Sequence, residues 1–433
     1  MCALDAHRPL VSLSPHLMLW SARRSIRSFV LPAMLGVAIH GCADDPAAPV
    51  STTIPIGGLF SLTGNWASLG TASKVAVELA IADANAAAAS RGSSLRFSAV
   101  IRDTKLDPAT VQADLAALAA AGVEVVVGPQ SSAEVTAVKS VADASGLLIV
   151  SHGSTAGSLA IPDDNVLRFT PSDTLEGVAL AGLMRDDGVT HAVPLWRLDA
   201  GNVGLQVAIR RSFGLLGAVS AGVQYAATET QYATTLAALR LQVEQAIAAA
   251  GGPATVAVAH AGFDEAADLF RLAASDAVLS SVRWYGTDGM VLSEAIRGDA
   301  VAAAFAQQVR LWAPAPGLEE AARPTWQAVS ARIAAITGVE PDAFTLAAYD
   351  AVMVAARAYE AVGGTGARPA LKAEFMRLTD DWVGTSGALR LNAAGDRAFG
   401  IFDFFAITSG AAGPQWTRRA QFDTRSQVLV RFP

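Results

Sequence analysis

Cysteine is almost absent from this chain: Cys2 and Cys42 are the only two among 433 residues. A body beginning at Cys42 has no second thiol to pair with, so no disulfide framework supports the fold. Basic clusters are missing too. There is no Lys/Arg block, no Lys/Arg-rich helix and no interleaving of aromatic with basic residues, which argues against nucleic acid as a partner. Long uncharged apolar runs are lacking beyond the first fifty residues, so no membrane span is implied there. The apolar fraction of 52% owes much to alanine. Enzyme signatures are also wanting. The first glycine-rich stretch has Gly57, Gly58 and Gly64 but no GxGxxG. No GxxxxGK[ST], HExxH or GxSxG occurs, and three of the six histidines precede Cys42. Neither catalysis nor a cofactor nor a metal is expected.

What is present begins with an export pattern. Arg23, Arg24 and Arg27 precede SFVLPAMLGVAIHG (28–41), an apolar segment too short to span a bilayer. It ends in Ile39-His40-Gly41-Cys42, which resembles a bacterial lipobox. Residues 1–41 then form a lipoprotein signal peptide, Cys42 carries the lipid, and 42–53 is a tether. A plain secretory signal with an incidental cysteine is the other reading. Cleavage before Cys42 removes four Arg and one Asp and moves the formal charge from −7 to −10, an acidic body.

From residue 54 short apolar runs alternate with amphipathic ones. IPIGGLF (54–60), LRFSAVIRD (95–103), VEVVVG (123–128) and LLIVS (147–151) read as strands. Helical spacing fills about 73–89, 108–121 and 132–144 between and after them. A second set follows: strands at 191–197, 218–226, 254–260 and 282–286, with helices near 203–216, 232–250 and 263–274. QQVRLWAPAPG (307–317) reads as a further strand and 343–362 as a long helix. Repeated strand–helix alternation predicts an α/β fold with parallel-rich sheets.

In open parallel sheets, ligands sit outside the carboxyl ends of the strands. The loops that follow each strand are SLTGNWASLG, GPQSSAE and SHGSTAG in the first set, and RLDAGNVG, HAGFDE and GTDGM in the second. Ser131, Ser132 and Thr155 stand where helices begin. Two roles are open to them, N-capping and recognition of a carboxylate, and a helix N-terminus has donors enough for both. Asp288 in GTDGM is a turn aspartate or the partner of a ligand ammonium. Trp66 and Phe263, on facing loops, either pack on their own domain or wall a cleft.

Several stretches in order resemble one known family. IPIGGLFSLTGNWASLG, RDTKLDPATVQAD, VEVVVGPQSSAE, VLRFTPSDTLEG, WYGTDG, PDAFTLAAYDAV and GTSGALRLNAAGDR together resemble the type I periplasmic solute-binding proteins of the leucine/isoleucine/valine-binding kind. The resemblance implies two Rossmann-like lobes joined by a three-crossing hinge, 53–172 with 312–396 and 173–311 with 397–433. It implies capture of an amino-acid-like solute for the permease subunits of an ABC importer, or ligand sensing by an envelope lipoprotein of the same fold without transport. Carried over by motif, Ser131 or Ser132 takes the ligand carboxylate, Gly153 and Thr155 hold carboxylate and ammonium, Phe263 touches the ligand, and Asp288 pairs with its ammonium. Gly201 falls where the family often has a tyrosine, which opens one wall to a larger ligand or to Arg197.

Overall fold

The structure is a computed structural model that describes residues 51–433 apart from 64, 65, 339 and 412. The signal segment, Cys42 and most of the tether lie outside the described residues. Thr52 and Thr53, placed in the tether, already belong to the first strand.

β1 (Thr52–Phe60), β2 (Leu95–Asp103), β3 (Val125–Val127), β4 (Leu148–Ser151) and β5 (Val166–Arg168) form a parallel sheet in the order β2-β1-β3-β4-β5. Helices α1 (Ala67–Ser90), α2 (Pro108–Ala120) and α3 (Ser132–Ser145) connect its strands. Successive strand residues point to opposite faces, and both faces are covered. Val125, Val127, Leu148 and Val150 join one core, while Val126 and Ile149 join another. That double burial is why these strands read as continuous apolar runs.

α4 (Asp173–Asp186) leads into the second sheet, whose strands are β6 (His191–Leu198), β7 (Ala218–Val219), β8 (Val223–Ala226), β9 (Val256–Ala261) and β10 (Arg283–Tyr285). The order is β10-β9-β6-β7, with β8 also on β6, and every pairing is parallel. The single strand expected at 218–226 is broken at Gly222, whose N–H and carbonyl are both taken by the Gln242 side chain. Between the strands run α5 (Ala200–Phe213), α6 (Ala233–Ala250) and α7 (Ala266–Ala273), followed after β10 by α8 (Glu294–Gly298) and α9 (Ala300–Gln308). Ala192, Ala257 and Ala259 line the face under α4 and α5, where small residues let the helices approach.

The chain then recrosses. β11 (Ala313–Pro316) is shorter than the strand expected over 307–317, because α9 runs on to Gln308. α10 (Arg323–Thr337), α11 (Ala343–Val362) and α12 (Arg368–Thr379) return to the first sheet's core through Ile333, Leu346 and Phe375. β12 (Val383–Gly384) and β13 (Gly387–Ala388) make a small hairpin around buried Asp350, which accepts the N–H and hydroxyl of both Thr385 and Ser386. Last come β14 (Ile401–Gly410), β15 (Gly413–Asp423) and β16 (Val428–Arg431), antiparallel beside β11. No periodicity in the sequence announces this sheet. Phe402, Phe404 and Phe422 bury it in the second body.

The chain thus passes between the bodies three times: after Phe169, before Val329 and after Leu391. Arg168 and Asp396 tie two of these passages with a bidentate pair at 2.5 and 2.7 Å, buried to 1% and 3% side-chain exposure. Among the described residues no helix is long and apolar enough to cross a membrane.

Candidate functional site

α1 begins six residues before the expected Ser73, with Trp66 at its N-cap position in the left-handed region at φ 61°. The Trp66 carbonyl accepts from Gln130 Nε2 at 3.1 Å, and Gln130 Oε1 accepts from the Ser61 N–H at 3.1 Å. One buried amide so joins the loops after β1 and β3. The half-buried Trp66 ring stands edge-on to Phe263 at 6.2 Å between centroids and to Phe344 at 6.4 Å. Phe263 follows β9 and Phe344 opens α11. The tryptophan therefore bridges the loop clusters of the two sheets, a contact worth about 0.5–1.5 kcal/mol per ring pair beyond area burial.

Phe263 is held from behind. Its N–H donates to Glu265 at 3.1 Å, and the Arg197 guanidinium lies 5.2 Å from the centre of its ring. Arg197 is itself paired with Asp199 at 3.2 Å and Glu265 at 3.5 Å. A Cβ on Gly289 would fall 2.6 Å from the Gly262 carbonyl and 2.7 Å from the Phe263 ring. Only glycine lets the Asp288 loop lie against that aromatic residue.

The hydroxyl residues are brought together but largely satisfied. Ser131 is the N-cap of α3 in a capping box with Glu134, its hydroxyl donating to Glu134 Oε2 at 2.7 Å. Ser132 Oγ meets Ser154 Oγ at 3.0 Å and accepts the Ala156 N–H at 3.1 Å. Gly153 presses on the Gln130 carbonyl, which would sit 2.7 Å from an added Cβ. Thr155 is buried, and its carbonyl accepts the Asp173 N–H at 2.8 Å. Gly201 lies in the first turn of α5 instead of a loop, with only Asp199 Oδ1, at 3.5 Å, near an added Cβ.

Asp288 has company that its motif did not announce. Its N–H donates to Glu176 Oε1 at 3.1 Å. Asp173 and Glu176, in the first turn of α4, are buried to 0% and 1% exposure. Among the described residues, neither carboxylate oxygen of Asp173 has an aligned protein donor. Burial pushes the Asp173 carboxyl up to about 7; the charge of Asp288 adds to this, while Thr155 and Arg168 oppose it. Burial pushes Asp288 up to about 6, against the pull of the Gly289 N–H. Glu176 is raised by burial, then by Asp288 and Asp173. The helix N-terminus offsets part of this cost. The nearest cation cannot complete the balance, since Arg168 is already bound to Asp396 and to the Ala156 carbonyl. Among the described residues no group of three or more His, Cys, Asp or Glu could hold a metal ion.

The site is thus a ring of contacts with an aromatic wall, a hydroxyl and amide shelf, and an anionic wall. Sequence reasoning missed Gln130, Phe344, Asp173 and Glu176. The last two stood in TPSDTLEG, where acids at a helix start read as dipole complements.

Residues 72–409 match the model of a family described as the receptor family ligand binding region. An uncharacterized protein of Methanocaldococcus jannaschii is 24% identical over 86% of this chain and 93% of its own. The branched-chain amino acid transporter substrate-binding protein LivJ of Streptococcus pneumoniae, solved with isoleucine, superposes with a TM-score of 0.65 at 20% identity, over 85% of this chain and 100% of that one. A solute-binding protein of R. palustris, solved with benzoate, gives 0.64 at 18% identity over 88% and 98%. The fold they share with this chain is the type I periplasmic binding fold.

Proposed function

We propose that this chain, which belongs to the receptor family ligand binding region family, is an extracytoplasmic solute-binding lipoprotein that captures a small amino-acid-like ligand for an ABC importer. The family binds ligands and does not turn them over. The observation that carries the choice of ligand is the trio of half-buried Asp288 with buried Glu176 and Asp173, beside Thr155 and in no ion pair among the described residues. An ammonium is the group that such a wall lacks.

The ligand meets the first sheet's loops, where the Gly153 backbone, Ser132 and Thr155 receive its carboxylate. Closure about the three crossings brings Asp288 onto its ammonium and keeps Phe263 against Trp66, a contact already made in this structure. The side chain of the ligand occupies the aromatic wall, and the space left by Gly201 admits one larger than leucine. Moving the closed population from 1:99 to 99:1 takes about 5.5 kcal/mol of preference for the closed state. A charge-assisted bond of about 1.5–3 kcal/mol with burial of one apolar side chain at about 1.5–3 kcal/mol is of that order. Cys42 as lipid anchor and the permease subunits as partners complete the reading.

The test is a thermal-shift and calorimetric screen of the chain lacking residues 1–42 against α-amino acids, their amides and benzoate. A ligand at 100 times its Kd adds about 2.7 kcal/mol of stability. Stabilisation by α-amino acids and amides, both of which carry the ammonium, with none by benzoate is expected. Stabilisation by benzoate alone rejects the ammonium anchor, and no shift from any compound rejects solute capture.

A further inference from the structure

Away from the cleft loops, at the amino-terminal end of β10, the surface holds a cavity of about 230 Å3. Arg283, Arg310, Arg419 and Arg431 line it, together with Trp312 and one acid, Asp187. That acid is fully engaged. It meets Arg283 Nη1 at 2.6 Å and Arg431 Nη2 at 2.8 Å, and it accepts the Tyr285 hydroxyl at 2.6 Å. Asp186, next to it, pairs with Arg431 at 2.6 Å. These contacts hold two guanidiniums in place, and Arg431 also lies 5.5 Å from the centre of the Trp312 ring.

Arg310 and Arg419 are different. Among the described residues neither has a carboxylate partner or another side-chain hydrogen bond. Arg310 is exposed and Arg419 half-buried, so both are open to solvent. Four guanidiniums against the carboxylates of Asp186 and Asp187 leave the pocket at about +2, on a chain whose formal charge is −7. The carboxyl ends of α4 and α9 close by explain an attraction for cations there. They do not explain Arg419, which stands in the middle of β15.

We propose that this pocket binds a phosphoryl dianion. A net charge of about +2 matches a dianion better than a carboxylate. Guanidiniums converging from four separate segments suit a group with three or four oxygens, each fork taking two. The indole of Trp312 supplies an apolar wall for the substituent that such a group carries. The phosphoryl group comes either from a soluble phosphate ester or from a phosphomonoester lipid headgroup, and the site is independent of the solute cleft.

The purified protein and the double variant Arg310→Gln/Arg419→Gln are titrated with inorganic phosphate at constant ionic strength, with chloride as the balancing ion. Saturable stabilisation of the parent is expected, with at least a tenfold weaker apparent Kd in the double variant. The double variant keeps Arg283, Arg431 and Asp187, so its melting point without phosphate stays that of the parent; Arg419→Gln alone gives an intermediate loss. Flotation with vesicles of phosphatidic acid in phosphatidylcholine, competed by phosphate, identifies a lipid source. Phosphate binding without flotation identifies a soluble one. Absence of both, or phosphate binding undiminished in the double variant, overturns the proposal.

Discussion

The two sides of the proposed cleft stand in opposite states. On the side of the first sheet, Ser131 is held in its capping box and Ser132 is bonded to Ser154 and Ala156, while Gln130 holds Trp66 and Ser61. On the side of the second sheet, buried Asp173 and Glu176 and half-buried Asp288 stand close together without an ion pair among the described residues. A satisfied shelf gives shape and orientation at little cost. An unsatisfied acidic wall destabilises the empty protein and is relieved by protonation or by a positive group, so on the proposed reading selectivity belongs to that side.

The largest effect should come from breaking the side that is already satisfied. Asp396→Ala leaves Arg168 as an unpaired charge in a dry site, and a loss of about 3–5 kcal/mol in urea denaturation is expected. Arg168 also holds the Ala156 carbonyl at 2.6 Å, so the shelf loosens with the crossing. A loss below about 1 kcal/mol would show that the pair supports neither.

Breaking the unsatisfied side should do the reverse. Asp288→Asn removes one of three crowded carboxyl groups, so the empty protein keeps or gains stability while affinity for an α-amino acid falls about 10–100-fold, the usual consequence of losing a charge-assisted bond. Calorimetry on the parent and the variant separates the two outcomes. Equal affinities would remove the ammonium role from Asp288.

The same contrast predicts a pH dependence. Asp173 at about 7 and Asp288 at about 6 lie above their unfolded value of 3.8, and Glu176 is raised as well. The folded state therefore binds more protons than the unfolded chain across that window. These groups stabilise the empty protein at acid pH, and their contribution falls as pH rises from about 4 to about 7. A bound ammonium reverses the preference. Affinity should rise between pH 5 and 8 by about tenfold for each proton displaced from a group near 6, and Asp288→Asn should flatten the curve.

Much of the fold is legible in the sequence. The strands over 95–103 and the helix over 343–362 fall where their patterns put them, because period and length agree there. The sheet of β14, β15 and β16 is not, because its strands are half-buried and mixed in character, and only their packing against α4 and the second sheet explains Phe402 and Phe404. Within the candidate site, Trp66 and Phe263 are identifiable as aromatic residues out of place in polar loops, and Asp288 is singled out from turn aspartates only by the family resemblance. Asp173 and Glu176 are not, since an acid in the first turn of a helix is ordinary until its burial and its neighbours are known.

The smallest effect tests whether the hydrogen bonds of the hydroxyl shelf persist when a ligand arrives. Ser131→Ala removes the cap of α3 and should cost about 1 kcal/mol of stability. Because the Ser131 hydroxyl already donates to Glu134, a ligand carboxylate gains nothing from it, and affinity should stay within about threefold of the parent. Ser132→Ala is the sharper control: its hydroxyl sits between Ser154 and the Ala156 N–H, and either of those bonds can yield to a carboxylate on closure. An affinity loss at Ser132 with none at Ser131 assigns the contact to one of two adjacent serines that the motif alone left equal. The opposite pattern would mean that the capping box opens when ligand arrives, and the shelf would then be as unsettled as the acidic wall that faces it.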